Sequence, residues 1–482
     1  MQKRFCWFVV RRAASLPDLS RLSNVLAKLP EGEKGFLGQT SQAKDWVETI
    51  SRLQIRLKAV NRPILREPTA ELLYKEIENF RHRVDGLHEP LATEFRAAAT
   101  RWLQVAQHQL DEAGRVTSQK AVPQLFRAGD PVNREQEAFI YRDAVIGELE
   151  QQVMLKTDCP GIVLYGRRRM GKSTILRNLV GFLPNDIKVA SVPMQKPSLF
   201  SSQKHFLRSI TSEITNLFPR LISATTKEVN LIYVFDLLAA CNTLLEKENG
   251  RLLLAIDEYE MIDKKISERI FRLDLLDTIR ESIQSHRRIT WVFAGSHEIT
   301  ELKHAAWTSY LVSARTIEVP FFTLTETRLL LTDPVKHSTL WLNNPDKRPR
   351  LDAAFWGEGG IERIHEEAGG WPHLVQLIAE TIGDLINNEE QAGAVTPELM
   401  ELALDKSIVR GHIVFHELMK RESTLPGEWD YLAGFRRSDS QLPPTDEKIA
   451  LSLRRRMLVV EKNGDWQLRV PLMARWLKVR GQ

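Results

Sequence analysis

The sequence predicts an α/β fold with a parallel sheet, and three observations support this class. Between positions 161 and about 320, short apolar runs alternate with amphipathic helical stretches, as consecutive β-α-β units require. A glycine-rich loop follows the first apolar run, and two adjacent acids follow the third. The candidate strands are 161–165, 187–192, 252–256, 289–294 and 317–322.

The loop at 166–174 has the sequence GRRRMGKST, which fits the pattern G-x-x-x-x-G-K-[ST] at every fixed position. Such a loop presents a concave row of backbone N–H groups to phosphate. Lys172 would add positive charge at the β- and γ-phosphates, and Ser173 would offer its hydroxyl to Mg²⁺. The helix predicted at 173–183 directs its positive end toward the anion. The expected nucleotide-binding residues are Gly166, Arg167, Arg168, Arg169, Met170, Gly171, Lys172, Ser173 and Thr174.

Two acids follow the run 252–256, which is uninterruptedly apolar and therefore predicts a central strand buried on both faces. Asp257 and Glu258 then lie at the carboxyl end of a strand, where open α/β sheets bind ligands. Acids there can also cap the next helix, but the phosphate loop upstream favours a functional pair. We expect Asp257 to hold Mg²⁺, directly or through water, and Glu258 to polarise the water that attacks a γ-phosphate.

The run 289–294 ends in Gly295-Ser296-His297. The Gly-Ser turn would aim the hydroxyl of Ser296 into the cleft, where it could reach either the γ-phosphate or the attacking water. We interpret His297 as a surface or capping residue. The catalytic residues expected from the sequence are Lys172, Asp257, Glu258 and Ser296.

Residues 1–125 predict an N-terminal α-helical module. Three stretches between 41 and 115 carry apolar residues at alternating spacings of three and four, which places them on one face of a helix. The segment 30–38 has the composition of a loop. The module could offer a contact surface to another chain or pack on its neighbouring domain. The boundaries between its helices are predicted at Pro63, Pro68 and Pro90.

A linker is predicted at 116–135, which contains Pro123, Gly129 and Pro131. The helix that opens at 139–143 precedes the phosphate-loop strand and could fold over the purine side of the site. We place a nucleotide-binding core at 126–325, a helical lid at 326–405 and a last domain at 406–482.

The last domain has the layout of a winged helix, with a basic helix at 448–457 and a hairpin around Asn463-Gly464. Asn-Gly between apolar runs is a strong hairpin signal. Three consecutive arginines could grip the phosphate backbone of DNA. Winged helices also serve as packing modules, so both roles stay open. The three arginines are Arg454, Arg455 and Arg456.

Composition narrows the class of protein. The 482 residues carry a net charge of +5, with basic ends at 1–125 and 406–482 around an acidic centre. Basic ends could bind nucleic acid or acidic partners, or they could be ordinary solvated surfaces. The three cysteines lie far apart without metal-ligand spacing, which favours a reducing compartment. No apolar run approaches the roughly 18 residues of a membrane span, so we expect a cytoplasmic protein without membrane contact.

Together these motifs resemble the STAND class of P-loop ATPases, near the archaeal-type ATPases and the origin-recognition-like branch of AAA+ proteins. The resemblance covers roughly 126–482 and rests, in order, on GRRRMGKS, LLLAIDEYE, the AGS strand end, GGWP and a winged helix. It implies an ATP/ADP site with Mg²⁺, with Arg142 near the adenine and Pro372 against the base. Tyr141 stands where the family's adenine motif has glycine, and no arginine matches the family's sensor-2 position.

The resemblance also implies a slow ATPase that acts as a switch in signal transduction, including bacterial defence against phage. ADP would hold a closed form, ATP would open it, homo-oligomers would follow, and the N-terminal module would bind a protein partner. Two other hypotheses stay open. One is a DNA-binding AAA+ ATPase resembling origin-binding or transposition-helper proteins, and the other is a scaffold with a locked nucleotide.

Overall fold

The computed structural model describes residues 2–16, 19–29, 35–60, 63–117, 122, 124–154, 161–193, 201–221, 228–311, 313–389, 394–422 and 425–480. Pro30, Pro123 and Cys159 lie outside these ranges. The chain divides into two compact units. The first contains Met1–Leu125, Ser338–Pro349 and Gly383–Ala392. The second contains Phe126–His337, Arg350–Ile382 and Gly393–Gln482.

The N-terminal part of the first unit is helical and has its own apolar core. In that core the ring of Phe80 stacks on Trp102 at 5.4 Å and meets Phe95 edge-on at 5.7 Å. The indole N–H of Trp102 donates to the carbonyl of Ala13 at 3.2 Å, which satisfies a buried donor. The helices are α1 (Gln2–Ala14), α2 (Leu22–Leu26), α3 (Gly35–Ala59), α4 (Pro63–Val84) and α5 (Leu91–Thr117).

Two sequence predictions for these helices are wrong. Because α3 begins at Gly35, residues 35–38 are helical and do not belong to a loop. Pro68 lies inside α4 and does not mark a helix boundary. Leu65 and Leu73 are buried on either side of Pro68, and this burial outweighs the one backbone hydrogen bond that a proline removes.

The second unit is built on a five-stranded parallel sheet with the order β2-β3-β4-β1-β5. The central strands β3 and β4 are almost entirely buried, as their continuous apolar runs predict. This architecture confirms the predicted α/β class. The strands are β1 (Ile162–Tyr165), β2 (Ile187–Pro193), β3 (Arg251–Asp257), β4 (Ile289–Gly295) and β5 (Arg315–Glu318).

Helices connect these strands and continue beyond them. In chain order they are α6 (Asp143–Met154), α7 (Lys172–Asn178), α8 (Gln203–Leu217), α9 (Leu231–Lys247), α10 (Glu260–Ser267), α11 (Asp274–Ser285), α12 (Trp307–Tyr310), α13 (Leu324–Thr332), α14 (Gly360–Ala368), α15 (Pro372–Glu389), α16 (Pro397–Arg410) and α17 (His412–His416). A π-helical turn at Glu417–Arg421 extends α17.

The strand register brings three carboxyl ends to one place. Tyr165 at the end of β1 pairs with Gly295 at the end of β4, and Ala294 pairs with Asp257 at the end of β3. After β1 the chain crosses through α7 to β2 at the edge of the sheet, so the strand order reverses beside β1. Open α/β sheets bind ligands at such a switch point.

Two element boundaries differ from the predicted ones. The last strand was expected at 317–322, but β5 lies at Arg315–Glu318. The N–H of Val319 still bonds to Tyr165, and Pro320, which has no N–H, then ends the pairing. The helix expected at 173–183 ends at Asn178 and is followed by a 3₁₀ turn at Leu179–Gly181.

The C-terminal part contains α18 (Glu428–Gly434), α19 (Glu447–Arg455), β6 (Val459–Lys462), β7 (Asp465–Leu468) and α20 (Pro471–Arg480). The antiparallel pairing of β6 with β7 confirms the predicted hairpin. Asn463 and Gly464 both have positive φ angles, as a two-residue hairpin turn requires. The interpretation of these elements as a winged helix stays a prediction. Within the described ranges, no helix combines the length and apolar character that crossing a bilayer demands.

Candidate active site

A cavity of about 380 Å³ lies at the carboxyl ends of β1, β3 and β4. Its wall is formed in part by four pieces of the chain: the phosphate loop (residues 166–174), the acids at the end of β3, the residue after β4 and the first turn of α15. Gly166 and Arg167, which the sequence groups with the loop, do not line it. The predicted residues that do line it are Arg142, Arg168, Arg169, Met170, Gly171, Lys172, Ser173, Thr174, Asp257, Glu258, Ser296 and Pro372.

The phosphate loop places Lys172 at the start of α7. Gly171 caps this helix with a φ of 95°, a left-handed conformation that glycine adopts without a steric penalty. The ammonium of Lys172 donates to the carbonyls of Gly166 at 2.6 Å and Arg167 at 3.0 Å. Burial lowers the pKa of Lys172 to about 8, although Glu260, Asp257 and Glu258 lie close enough to oppose the shift.

The first arginine of the loop contacts other parts of the protein. The guanidinium of Arg167 is buried and donates to the carbonyl of Arg455 at 2.6 Å and to that of Ser296 at 3.1 Å. It also lies 3.5 Å from the carboxylate of Glu301. Arg167 therefore connects the phosphate loop with the end of β4 and the end of α19.

The next two arginines are half-exposed or exposed, and they contact different segments. Arg168 pairs with Glu417 at 2.7 Å and with Glu422 at 3.1 Å, at the π-helical turn that follows α17. Arg169 donates to the carbonyl of Gly129 at 2.8 Å. The sequence predicts the three arginines as nucleotide contacts, and the contacts that the structure gives them are to protein groups.

Ser173 and Asp257 form the candidate magnesium site. Burial raises the pKa of Asp257, and the hydroxyl of Ser173 beside its carboxylate acts in the opposite direction. Oδ1 of Asp257 also accepts a hydrogen bond from the N–H of Glu258, at 3.1 Å. A hydroxyl beside a carboxylate is a hard oxygen donor set, and Mg²⁺ in phosphate sites takes one or two such protein ligands together with phosphate oxygens and water. The two residues therefore fit Mg²⁺.

Glu258 lines the cavity in an unusual backbone conformation. Its φ angle is 59°, which is rare for a residue with a long side chain. The N–H of Glu258 is held by Asp257, and Tyr259 beyond it is fully buried with its hydroxyl on the carbonyl of His297 at 3.0 Å. These contacts fix the turn after β3, where Glu258 lines the same cavity as the phosphate loop.

Ser296 is held by Glu260, which the sequence analysis did not assign to the site. The hydroxyl of Ser296 donates to Oε1 of Glu260 at 2.7 Å, and its N–H donates to the same oxygen at 3.1 Å. Burial alone would raise the pKa of Glu260, but hydrogen bonds from His297 and Ser296 prevail and lower the pKa to about 2. In turn, Glu260 raises the pKa of His297. His297 is therefore a partner of Glu260, and with a side chain that is 44% exposed it is also a surface residue, as the sequence indicated.

The turn before α15 contacts the phosphate loop directly. The indole N–H of Trp371 donates to the carbonyl of Arg168 at 3.1 Å, and the carbonyl of Gly370 accepts from Phe322 at 2.8 Å. These bonds place Pro372 and His373, the first residues of α15, in the cavity wall. Burial lowers the pKa of His373 to about 3, and the charge of Arg169 acts in the same direction.

Arg142 lines the cavity, but its guanidinium is engaged by the protein. It pairs with Glu326 at 2.9 Å and donates to the carbonyl of Pro320 at 2.7 Å. It also lies over the ring of Phe322, 5.0 Å from the ring centre. Arg142 thus fixes the connection between β5 and α13. Because its guanidinium is engaged by the protein, a nucleotide base would contact atoms of the cavity wall other than this guanidinium.

Apolar groups near Arg142 form the part of the wall that suits a nucleotide base. Gln376, which the sequence did not indicate, braces this part by accepting from the N–H of Arg127 at 3.1 Å and donating to the carbonyl of Ala138 at 2.8 Å. Because Gln376 is one polar residue in a helical stretch, the sequence carried no signal for it. The apolar lining residues include Val132, Phe139, Ile140, Phe322 and Leu330.

The predicted arginine triplet for DNA is corrected at one position. Arg456 is buried, pairs with the fully buried Glu428 at 2.7 Å and donates to the carbonyl of Met419 at 3.1 Å. It cannot reach a phosphate backbone while these bonds last. Arg454 and Arg455 are exposed, with Arg454 over the ring of Trp466 at 5.1 Å.

Comparisons with known proteins give one family match and several similar solved structures. The family of AAA domains matches residues 156–302. No curated protein matches the chain. Among solved structures, a Walker-type ATPase of Pyrococcus abyssi is similar, with a TM-score of 0.49 and 16% identity over 72% of this chain and 98% of that chain.

Two further solved structures are similar. The ORC2 protein of Aeropyrum pernix, solved as ADPNP–ADP complexes, has a TM-score of 0.44 and 15% identity over 73% of this chain and 96% of that chain. CDC6P of Pyrobaculum aerophilum has a TM-score of 0.40 and 13% identity over 72% of this chain and 97% of that chain.

Proposed function

We propose that this protein binds ATP with Mg²⁺, hydrolyses it, and uses the nucleotide to control the position of its lid (326–405) and of its C-terminal segment (406–482). One observation carries the proposal: a single cavity brings together the phosphate loop with Ser173 and the acids Asp257 and Glu258. These residues come from two separate strand ends, those of β1 and β3. Their convergence at the switch point of a parallel sheet supports a phosphoryl-transfer site.

The chemistry requires mainly positioning and charge neutralisation. Bound Mg²⁺ would neutralise charge on the phosphates, and Ser173 and Asp257 would hold it. Lys172 would move from the carbonyls of Gly166 and Arg167 to the β- and γ-phosphates. Glu258 would orient a water whose oxygen bonds to the γ-phosphorus while the bond to the β–γ bridging oxygen breaks. The water gives up one proton, and ADP and inorganic phosphate leave.

The switch is supported by the contacts of the phosphate loop. Trp371 of the lid bonds to the backbone of Arg168, whose side chain pairs with Glu417 and Glu422. Arg167 bonds to the backbone of Arg455. A change in the loop on phosphate binding would therefore alter both the lid and the C-terminal segment. This behaviour matches the STAND-type switch that the sequence resembles, and its driving force is the difference in affinity between the two forms.

Equilibrium binding of ATP to Lys172→Ala tests the nucleotide assignment. We expect this variant to lose ATP binding, whereas Lys188→Ala, which changes an exposed lysine on β2, should bind like the wild type. Wild-type affinity in Lys172→Ala would overturn the proposal. For the switch, small-angle scattering with ADP and with a non-hydrolysable ATP analogue should give different particle dimensions, and identical profiles would favour a scaffold with a locked nucleotide.

A DNA-binding ATPase is the second candidate. The observation in its favour is that Arg454 and Arg455 are exposed beside the β6–β7 hairpin. Salt-dependent binding of duplex DNA that weakens in the double variant Arg454→Ala/Arg455→Ala would support it. Wild-type protein that binds no DNA at low salt would exclude it. A homo-oligomer and a protein partner at the N-terminal helices stay predictions of the sequence.

A further inference from the structure

Glu260 lies at the cavity with its side chain 13% exposed, and the reaction as described above does not use it. Its side chain lies at the start of α10, lines the cavity and bonds to Ser296 through one oxygen, Oε1. The second oxygen, Oε2, is buried beside Gly295, where a methyl group on that glycine would clash with it. The glycine at the end of β4 therefore leaves the space that the carboxylate of Glu260 occupies.

The polarity of the bond between Glu260 and Ser296 decides what Ser296 can do. A carboxylate only accepts hydrogen bonds, so the hydroxyl and the N–H of Ser296 must both donate to it. A serine hydroxyl has one proton and two lone pairs. The imidazole of His297, at 3.3 Å, takes one lone pair at most. Toward the cavity, Ser296 is left with a lone pair and no proton.

We infer that Ser296 accepts a hydrogen bond from the attacking water and makes no donor contact to the γ-phosphate, and that Glu260 is the positioning residue that fixes this polarity. The inference rests on the proposed ATPase function and deepens it. The sequence left two roles open for Ser296, contact with the γ-phosphate or contact with the water. The bond to Glu260 selects the water.

In this inference Glu258 and Glu260 have different roles in the reaction. Ser296 holds one O–H of the water, and Glu258 receives the proton of the other O–H as the water oxygen bonds to phosphorus. The lone pair of the water then points at the γ-phosphorus. Glu260 takes no proton in this step, because it acts through Ser296. Its ionised carboxylate also lies near Lys172, opposite the positive charge of the phosphate loop.

The test measures affinity for ATP and ADP and the rate of ATP hydrolysis in Ser296→Ala, Glu260→Gln and the double variant. A lost donor to the γ-phosphate would weaken ATP binding but leave ADP binding unchanged. We expect the ratio of ATP to ADP affinity to stay at the wild-type value in Ser296→Ala, while kcat falls about 2- to 10-fold, as for loss of one hydrogen bond between neutral groups. A fall in that ratio of about tenfold or more would overturn the inference.

The double variant tests the positioning role. If Glu260 acts through Ser296, the double variant should be no slower than Ser296→Ala alone. Multiplied losses in kcat would contradict this role. Glu268→Gln is the matched control, because it makes the same change at the exposed end of α10 and should keep the wild-type rate. If Glu260→Gln fails to fold, the affinity ratio of Ser296→Ala still decides the role of Ser296.

The two proposals fail in different ways. Wild-type protein that binds no ATP would remove the proposed function. Wild-type protein that hydrolyses ATP, with Ser296→Ala and Glu260→Gln both at the wild-type rate, would leave that function standing and remove this inference alone.

Discussion

Arg168 in the phosphate loop and Glu417 at the end of α17 lie 249 positions apart in sequence, and their side chains meet at 2.7 Å. Glu422 approaches the same guanidinium at 3.1 Å and also lies 3.9 Å from Arg456. A row of alternating charges thus leads from the loop into the C-terminal segment. The loop that would bind phosphate and the segment that would respond to it are in direct contact.

Arg168→Ala should release the C-terminal segment without unfolding the protein. The pair is partly exposed, so its loss should lower the free energy of unfolding by less than about 1 kcal/mol. Amide hydrogen exchange at Glu417–Arg421 should nevertheless become faster. Arg169→Ala is the control, because its guanidinium bonds to Gly129 and not to this segment. Equal exchange in the two variants and the wild type would show that Arg168 does not hold the segment.

Arg456→Ala should be strongly destabilising, in contrast to Arg454→Ala. Removing Arg456 leaves Glu428 as an unpaired charge at a fully buried position, which typically costs about 3–5 kcal/mol. Arg454 is exposed, and its loss should cost less than about 1 kcal/mol. Urea denaturation measures both values. Similar midpoints for the two variants would contradict the structural role given to Arg456.

Ser173→Ala should weaken nucleotide binding only when Mg²⁺ is present. The hydroxyl beside Asp257 is a proposed ligand of the metal. We therefore expect calorimetry to give about tenfold weaker ATP binding with Mg²⁺, from the loss of roughly 1.4 kcal/mol, and little change with chelator. Thr300→Ala, outside the cavity, is the control. An equal loss with and without metal would mean that Ser173 has no role in holding Mg²⁺.

His373 should make the protein less stable as the pH falls below 6.5. Its pKa is about 3 in the folded protein, against an ordinary value of 6.5, so the unfolded chain takes up a proton that the folded protein refuses. The stabilising contribution is complete above pH 6.5 and is lost as the pH falls toward 3, at up to about 1.4 kcal/mol per pH unit. Thermal melting between pH 7 and pH 5 should show a steeper loss for the wild type than for His373→Gln. Parallel curves would mean that His373 titrates normally.

The sequence predicts the central chemistry of the site because that chemistry is local. The phosphate loop needs consecutive residues, and Asp257 and Glu258 follow a buried apolar strand, so both appear as short motifs. The role of Glu260 was missed because it depends on contact with Ser296, which lies 36 positions further along the chain. Its only signal was a third acid in the run DEYE.

Long-range contacts also explain the predictions that needed correction. An arginine triplet on a basic helix predicts exposure, but Arg456 points at Glu428, 28 positions earlier, and is buried. The end of β5 depends on its pairing with β1, which stops at Pro320, and not on the apolar run itself. Pro68 fits inside a helix because the helix is buried on both sides of it.

The most direct test of the account is ATP hydrolysis by the wild type and by Glu258→Gln, with ATP affinity measured on the same samples. The wild type should release phosphate from ATP in a Mg²⁺-dependent reaction. Glu258→Gln should bind ATP as tightly as the wild type but turn over at least about 100-fold more slowly, as expected for loss of a group that takes a proton in the reaction. Hydrolysis by Glu258→Gln at the wild-type rate, or a wild type that binds no ATP, would contradict the account.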